Sequence, residues 1–222
     1  MTNGIFWGTD ISMIRILIAD DHYLIRQGFE KLIAKELGMT IVGQAENAGE
    51  VLDLIRDNEC DVIVLDINMP GKSGLDLLKD LREIRPKIKV LILTIHPEER
   101  FAIRALKTGA AGYITKESAP DELVKAIRKV QSGGKYVSQE LAEKLAFDLA
   151  DDSEKPQHEY LSDREFQVFQ LIGAGKTMNE ICHELSLSLS TINTYRTRVL
   201  EKMNMHSNAE IIHYAIKNKL VD

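Results

Sequence analysis

Five short apolar runs alternate with longer amphipathic segments along residues 13–132, and this alternation constrains the fold more than any other feature. The runs are short and rich in β-branched residues, which is typical of strands buried on both faces. They cover residues 16–19, 40–43, 62–65, 90–93 and 112–114. The intervening pattern predicts helices over residues 23–34, 48–57, 73–85, 98–108 and 120–132. Five βα units in succession predict a parallel sheet covered by helices on both sides.

Polar side chains stand where four of these strands end. Asp20 and Asp21 follow the first run, Asp66 follows the third, Thr94 follows the fourth, and Thr115-Lys116 follows the fifth. The carboxyl ends of parallel strands meet at one edge of a sheet, and ligands bind at that edge. Three carboxylates brought together there repel one another unless a cation neutralises them. The oxygen-only donor set favours Mg²⁺, although any one of these residues alone would suit a solvated strand end.

The same residues carry a resemblance to a known family. They are Asp20-Asp21, Asp66 followed by Asn68-Met69-Pro70-Gly71, Thr94, and Tyr113 three positions before Lys116. Through them residues 13–132 resemble the receiver domain of bacterial two-component response regulators. The resemblance implies a flavodoxin-like, doubly wound five-stranded sheet.

The resemblance also implies the roles of the individual residues. It makes Asp66 the acceptor of a phosphoryl group from a sensor histidine kinase. It assigns Mg²⁺ to Asp21, Asp66 and the backbone carbonyl of Asn68, with Asp20 supporting the metal through water. It pairs Lys116 with the phosphoryl oxygens. A carboxylate can attack phosphorus in this way, while the metal and the lysine neutralise charge on the transferring oxygens.

Thr94 and Tyr113 are implied to rearrange when the phosphoryl group arrives. For Tyr113 an alternative role is equally open, because an aromatic ring with a polar tip also suits packing of a strand against a helix. The resemblance implies a phosphoacceptor that assists its own phosphorylation and dephosphorylation, and not an independent enzyme. The first turn reads Asp20-Asp21-His22 and contains no glycine-rich loop for a flavin or nucleotide.

The remaining composition excludes several classes of protein. Among the 222 residues there is no apolar stretch of about 18, so we expect no membrane span and a cytoplasmic protein. Residues 1–12 lack the pattern of a signal peptide and are interpreted as an extension outside the fold. The two cysteines, Cys60 and Cys182, are far apart in the sequence and are expected to be reduced thiols.

A second domain is predicted after a linker. Residues 133–157 form that linker, with a short helix over residues 138–150 and a charged stretch that ends at Pro156. Residues 158–222 are helical in pattern, with capping boxes at Ser162 to Glu165 and Thr177 to Glu180. Four short helices with a tight turn between the second and third predict a small all-α helix-turn-helix domain.

The third helix of this domain has one apolar side and one polar side. Ile192 and Val199 lie on the apolar side, and the polar residues are suited to base edges and phosphates. The candidate DNA contacts are Thr191, Asn193, Thr194, Arg196, Thr197, Arg198 and Lys202. The domain resembles the LuxR-type DNA-binding domain through Leu161-Ser162-Asp163-Arg164-Glu165, Ser188, Thr191-Ile192-Asn193-Thr194 and Glu201-Lys202-Met203. Together the two halves resemble a response regulator of the NarL/FixJ type, a transcription factor switched by phosphorylation.

The charge of the second domain leaves an alternative open. Residues 156–222 contain seven Lys or Arg against eight Asp or Glu, whereas nucleic-acid-binding domains are usually basic. A homodimer formed on phosphorylation and bound to a two-fold site in double-stranded DNA would double the phosphate contacts. The alternative is a phosphoacceptor module whose helical domain binds a protein.

Overall fold

The computed structural model describes residues 13–95, 98–139, 141–143 and 156–221, without the side chains of residues 98–100. The expected extension over residues 1–12, the charged linker over residues 151–155 and most of the short helix over residues 138–150 lie outside this range. The first turn of that helix is described. The Leu141 amide donates to the Ser138 hydroxyl at 3.1 Å.

The first domain is a five-stranded parallel sheet with helices on both faces, as the alternation predicts. The strand order is β2-β1-β3-β4-β5, which is the doubly wound order expected from the resemblance. In chain order the elements are β1 Ile14–Ala19, α1 Tyr23–Ile33, β2 Met39–Ala45, α2 Ala48–Asp57, β3 Val62–Asp66, α3 Gly74–Ile84, β4 Lys89–Thr94, α4 Glu98–Thr108, β5 Gly112–Thr115 and α5 Ala119–Gln131.

The two faces of the sheet bury two separate apolar clusters. Ile16 and Ile18 point to the face covered by α1 and α5, and Leu17 and Ala19 point to the face covered by α2, α3 and α4. The central runs of β1, β3 and β4 are therefore apolar at successive positions, because successive side chains alternate between two buried faces.

The second domain is the expected bundle of short helices. A 3-10 turn at Gln157–Tyr160 precedes α6 Asp163–Gly173, α7 Met178–Leu185, α8 Leu189–Lys202 and α9 Asn208–Lys217. Both predicted capping boxes are formed, at the starts of α6 and α7. Ser186 ends α7 in the left-handed conformation, with φ of 52°, and so makes the tight turn into α8. No helix in the described part of the chain is long and apolar enough to cross a bilayer.

The two domains pack against each other. The apolar cluster on the α3 and α4 side of the sheet continues without interruption into the core of the helical domain. Phe101 of α4 meets Phe166 of α6 edge to face, with ring centroids 5.4 Å apart. The contact joins the sheet face that carries α3 and α4 to the first helix of the second domain.

Candidate functional site

Three carboxylates meet at the carboxyl ends of β1 and β3. These strands pair in parallel, so the residues that follow them lie at one edge of the sheet. Oxygens of Asp20, Asp21 and Asp66 lie within 4.8 Å of one another and of a ring nitrogen of His22. Asp20 and Asp66 are buried, whereas Asp21 is half-buried and His22 is exposed. The fold therefore gathers the predicted acidic residues into one cluster that is more exposed at Asp21 than at Asp20 and Asp66.

Lys116 lies at the centre of this cluster. Its Nζ is 2.7 Å from Oδ2 of Asp66 and 2.7 Å from Oδ2 of Asp20. Lys116 directly follows β5, and its backbone amide donates to the Thr94 carbonyl at 2.7 Å, which fixes the start of the side chain at the edge of the sheet. One ammonium thus joins the carboxyl ends of β1 and β3.

The charges of the cluster are not balanced. Burial raises the pKa of Asp66 to about 6, because removal from water outweighs the attraction of Lys116 and the neighbouring Asp20 adds repulsion. Burial alone would lower the pKa of Lys116, but Asp66 and Asp20 together raise it. Two carboxylates contact the one lysine and a third, that of Asp21, lies alongside, so a divalent cation would relieve the excess negative charge. The carboxylate oxygens are donors that Mg²⁺ prefers.

The loop from β3 to α3 is folded tightly beside Asp66. The Asn68 amide donates to Oδ1 of Asp66 at 3.1 Å, and the Ser73 hydroxyl caps α3 by accepting from the Leu75 amide. Gly74 makes this closeness possible, because a Cβ at that position would lie 2.2 Å from the Asp66 carbonyl oxygen. The sequence analysis did not single out Gly74. The signal was a glycine directly after the helix-capping serine, where α3 must approach the preceding strand.

Thr94 and Tyr113 lie on the neighbouring strands β4 and β5. Thr94 ends β4 opposite Thr115 of β5 and is fully buried. Tyr113 is also fully buried, belongs to the apolar cluster, and donates its backbone amide to the Tyr136 carbonyl at 2.9 Å. Its surroundings agree with the packing role. A switching role for Thr94 and Tyr113 stays a prediction.

The polar face of α8 is open to solvent. Ile192 and Val199 are buried on its inner side. Of the candidate DNA contacts, Asn193, Thr194, Thr197, Arg198 and Lys202 are exposed, and Thr191 and Arg196 are half-buried. The Ser188 hydroxyl caps the helix by accepting from the Thr191 amide at 3.2 Å. Most of the candidate DNA contacts are therefore accessible in the described part of the chain.

Two of the candidate phosphate contacts already have partners within the domain. Lys202 Nζ donates to Oε2 of Glu165 at 2.6 Å, and Glu165 is 3% exposed. Arg196 Nε donates to Oδ1 of Asn208 at 2.6 Å. From the sequence, both cations are expected to be available to DNA. In the structure, each also links α8 to a neighbouring helix through its side chain.

The helical domain binds the loop between β3 and α3 directly. It does so through Arg164, which entered the sequence prediction only as part of a motif, and Gln167, which did not enter it. Arg164 Nη2 donates to the carbonyls of Met69 at 3.2 Å and Gly71 at 2.7 Å. Gln167 Nε2 donates to Oδ1 of Asn68 at 2.9 Å. The sequence shows only that Arg164 and Gln167 are three apart and so share one face of a helix; that this face is buried is seen only in the structure.

Arg104 of α4 makes the second set of contacts between the domains. Its guanidinium lies over the Phe166 ring, 4.4 Å from the centroid, and 3.4 Å from Oδ1 of Asp163. It also donates to the carbonyls of His158 and Glu159 at 3.2 Å each, and to the carbonyl of Leu161. Lys79 of α3 lies 2.9 Å from the other oxygen of Asp163. The contacts between the domains therefore centre on α3, α4 and the β3–α3 loop.

Fold and site together define a receiver-like phosphoacceptor domain joined to a helix-turn-helix domain, and comparison with known proteins agrees. Residues 16–128 match the family described as response regulator receiver domain. Residues 159–215 match the bacterial regulatory proteins of the luxR family. Both spans lie within the predicted domains, whose boundaries stay predictions. The chain belongs to the bacterial response regulators, and its function is phosphorylation-dependent regulation of transcription.

Curated relatives match nearly the whole chain. Response regulator UvrY of Escherichia coli is 36% identical over 210 residues, which cover 94% of this chain and 96% of that protein. Response regulator GacA of Pseudomonas aeruginosa is 37% identical over 215 residues, which cover 95% and 99%.

Solved structures share the fold. A LuxR-family two-component response regulator from Aurantimonas is 35% identical with a TM-score of 0.58, covering 63% of this chain and 100% of that chain. The RcsB response regulator of Salmonella typhimurium is 22% identical with a TM-score of 0.66, covering 94% and 98%. The recognition of a two-domain response regulator and the fold class are confirmed.

Proposed function

We propose that Asp66 is the phosphoacceptor of this response regulator and that a sensor histidine kinase is its donor. The observation that carries the proposal is the buried Asp66 carboxylate, held 2.7 Å from the Lys116 ammonium where Asp20 and Asp21 also gather. A charge at this depth is costly unless it is paired and hydrogen-bonded, and such costly groups cluster at functional sites.

The chemistry assigned to the chain is transfer of one phosphoryl group. An Oδ atom of Asp66 attacks phosphorus, the bond from phosphorus to the donor histidine nitrogen breaks, and the imidazole leaves with the electron pair. Lys116 then pairs with a phosphoryl oxygen. Asp21, Asp66 and the Asn68 carbonyl would hold Mg²⁺, with Asp20 acting through water, and the bound ion would supply further positive charge toward the phosphoryl oxygens. Attack of water on phosphorus releases inorganic phosphate and restores Asp66.

This chain assists its own phosphorylation and dephosphorylation and is not an independent enzyme. No separate substrate is turned over, since the carboxylate that is modified belongs to the protein. The site supports this role because its charged groups are built into strand ends, where they are fixed before a donor arrives.

For the output domain we place the DNA contacts on the open face of α8. Asn193 and Thr194 are exposed near the start of the helix and are assigned to base edges, with Thr191 and Thr197 beside them. Arg196, Arg198 and Lys202 are assigned to phosphates. One domain offers few cations, so we propose that the phosphorylated protein is a homodimer on a two-fold duplex in the cytoplasm.

Labelling with a small phosphodonor tests the acceptor. Acetyl phosphate with Mg²⁺ should label the wild-type chain, and Asp66→Asn should abolish stable labelling. Asp53→Asn is the matched control, because Asp53 is a carboxylate on α2 whose side chain is 74% exposed. Wild-type labelling of the Asp66 variant would mean that another residue is the acceptor.

Titration with Mg²⁺ tests the metal ligands. Asp21→Ala should weaken Mg²⁺ binding measured by calorimetry, since Mg²⁺ sheds its water reluctantly and each carboxylate matters. Undiminished binding would remove Asp21 from the coordination shell.

Binding of a two-fold duplex at increasing salt concentration tests the DNA assignment, because phosphate contacts make affinity fall steeply with salt.

A further inference from the structure

We propose that Arg26 is a positioning residue for the acidic cluster: it fixes the peptide unit between Asp20 and Asp21, from which both carboxylates project toward the metal. The inference rests on the proposed function of Asp66. It adds a residue that supports the metal ligands from behind and touches neither the metal nor the phosphoryl group. Arg26 lies in the first turn of α1, six positions after Asp20.

The position of Arg26 is unfavourable for a cation. Arg26 is 4% exposed and, together with Phe29 and Ile33, makes up the buried face of α1. Burial of a charged group costs free energy unless the group is paired and hydrogen-bonded. The helix dipole also opposes a positive charge in the first turn. The amphipathic pattern of α1 would suit an apolar side chain here, so the partners of the guanidinium must explain its presence.

The guanidinium of Arg26 binds the ends of two strands. Its Nη1 donates to the backbone carbonyl of Asp20 at 2.6 Å. Its Nη2 forms an ion pair with the carboxylate of Glu46, which directly follows β2. The Asp20 amide also donates to the Ala45 carbonyl at 3.0 Å. Arg26 therefore holds the end of β1 against the end of β2, at the edge of the sheet that carries the acidic cluster.

The carbonyl that Arg26 binds controls the direction of two carboxylates. It belongs to the peptide unit that joins Asp20 to Asp21, and this unit is planar, so fixing the carbonyl fixes the chain on both sides. On one side the Asp20 carboxylate lies 2.7 Å from Lys116 Nζ and accepts from the His22 amide at 2.8 Å. On the other side is Asp21, which is assigned to the metal. Rotation of this peptide unit would turn both side chains away from their present directions.

Asp21 in particular depends on its backbone for a fixed position. Its carboxylate is half-buried, and its Oδ1 lies 2.8 Å from Nδ1 of His22, a side chain that is itself exposed. Asp66 is different, because the buried ammonium of Lys116 holds its carboxylate from within the fold. The rigid support of Asp21 is therefore its backbone, and Arg26 is bound to that backbone.

The test compares the two ends of β1 in the full chain. Arg26→Met removes the donor to Asp20 and keeps an unbranched side chain. Arg15→Met is the matched control, because Arg15 lies at the amino end of β1 and binds Asp61 through Nε at 3.0 Å and Nη2 at 2.8 Å. Both substitutions remove an arginine that ties β1 to its surroundings, but only one of them lies at the acidic cluster. Arg26→Lys keeps a cation in place and restores one donor.

The readouts are the Mg²⁺ dissociation constant from calorimetry, the Mg²⁺ concentration at half-maximal labelling by acetyl phosphate, and the melting temperature. Arg26→Met should raise both Mg²⁺ values by about tenfold, the lower end of what loss of a supporting group costs a metal site. The labelling rate at saturating Mg²⁺ should change less, because Asp66 and Lys116 are untouched. Arg26→Lys should recover part of the Mg²⁺ affinity.

The control separates positioning from a contribution to folding alone. Arg15→Met should lower the melting temperature without changing either Mg²⁺ value, since the acidic cluster lies at the other end of the strand. Equal Mg²⁺ dissociation constants in Arg26→Met and Arg15→Met, each measured below its melting temperature, would overturn the inference.

A double variant covers the case in which Arg26→Met alone does not fold. The single substitution leaves the Glu46 carboxylate without its partner, whereas Arg26→Met with Glu46→Gln removes both charges of the ion pair and costs less stability. The double variant still lacks the donor to Asp20, so its Mg²⁺ dissociation constant should also rise by about tenfold. A wild-type value would contradict the role of Arg26. Wild-type protein that is not labelled at Asp66 would instead contradict the proposed function.

Discussion

The Lys116 ammonium lies 2.7 Å from Oδ2 of Asp66 in an ion pair that is almost completely buried. The pair is the link between β3 and β5 at the edge of the sheet where chemistry is expected. It does not neutralise the cluster, because Asp20 contacts the same ammonium and Asp21 lies alongside.

The first prediction concerns the loss of folding stability that the buried Asp66 charge causes among the neighbouring carboxylates. In the absence of Mg²⁺, Asp66→Asn should raise the free energy of unfolding at pH 7.5 by about 1–3 kcal/mol, because it removes a buried charge. The folded-state pKa of Asp66 is raised to about 6. The destabilisation of the folded state by ionised Asp66 is therefore fully present above pH 6. It decreases as the pH falls from 6 toward the ordinary carboxyl pKa near 4. Urea unfolding at pH 7.5 and pH 5 measures it.

Mg²⁺ provides the control for this prediction. Added Mg²⁺ should stabilise the wild type and have much less effect on Asp66→Asn, since one proposed ligand is lost. Equal stabilisation of both proteins would place the metal elsewhere.

The second prediction concerns transmission of the signal from the site. Thr94→Ala should still be labelled at Asp66 but should lose most of the gain in duplex affinity that a phosphoryl mimic gives the wild type. The reason is that Thr94 ends β4 beside the acceptor strand, where its hydroxyl can be drawn toward the added negative charge. Thr115→Ala is the control, because Thr115 lies opposite Thr94 but its hydroxyl donates to Ser118. An equal gain in the Thr94 variant would show that the signal leaves by another path.

The third prediction concerns base recognition. Asn193→Ala and Thr194→Ala should alter the sequence preference of the protein by about 1–3 kcal/mol at individual base pairs, because both residues are exposed on the open face of α8. Binding selections from a randomised duplex library measure the preference. If both variants select the wild-type site, α8 does not read the groove as proposed.

The fourth prediction separates two cations of α8. Arg198 is exposed, so Arg198→Ala should weaken binding to all duplexes alike and lower the salt slope by about one unit. Lys202→Ala should lower the slope as well, and it should also destabilise the domain because Lys202 is paired with buried Glu165. Titrations at several salt concentrations, together with thermal melts, distinguish the two. A Lys202 variant with wild-type stability would mean that the pair contributes nothing to the fold.

The fifth prediction concerns the domain contact at Asp163. Its side chain is 8% exposed and lies between Lys79 and Arg104, so Asp163→Asn should weaken docking by about 2–3 kcal/mol. Small-angle X-ray scattering should show a larger radius of gyration. Asp76→Asn is the control, since Asp76 also pairs with Lys79 but within α3 at the surface. An unchanged radius in the Asp163 variant would mean that apolar packing alone holds the domains.

The sequence by itself determined the elements and the position of the acidic cluster. The helices over residues 48–57 and 98–108 have the predicted ends, and the other receiver helices differ by about one residue at either end. This succeeds because helix and strand periods are local properties. The cluster could also be predicted, because parallel topology carries every strand end to the same edge whatever the details of packing.

Only the tertiary structure decided which surfaces those elements present to each other. Nothing in the local pattern of α6 reveals that Arg164 and Gln167 bind a loop more than 90 residues earlier in the chain, or that Lys202 is held by Glu165. Tyr113 suited a core position and a switch equally well from sequence, and the fold places it in the core. A side chain's partner across a domain boundary depends on how two folded surfaces meet, and hydrophobic periodicity defines only which face of an element is buried.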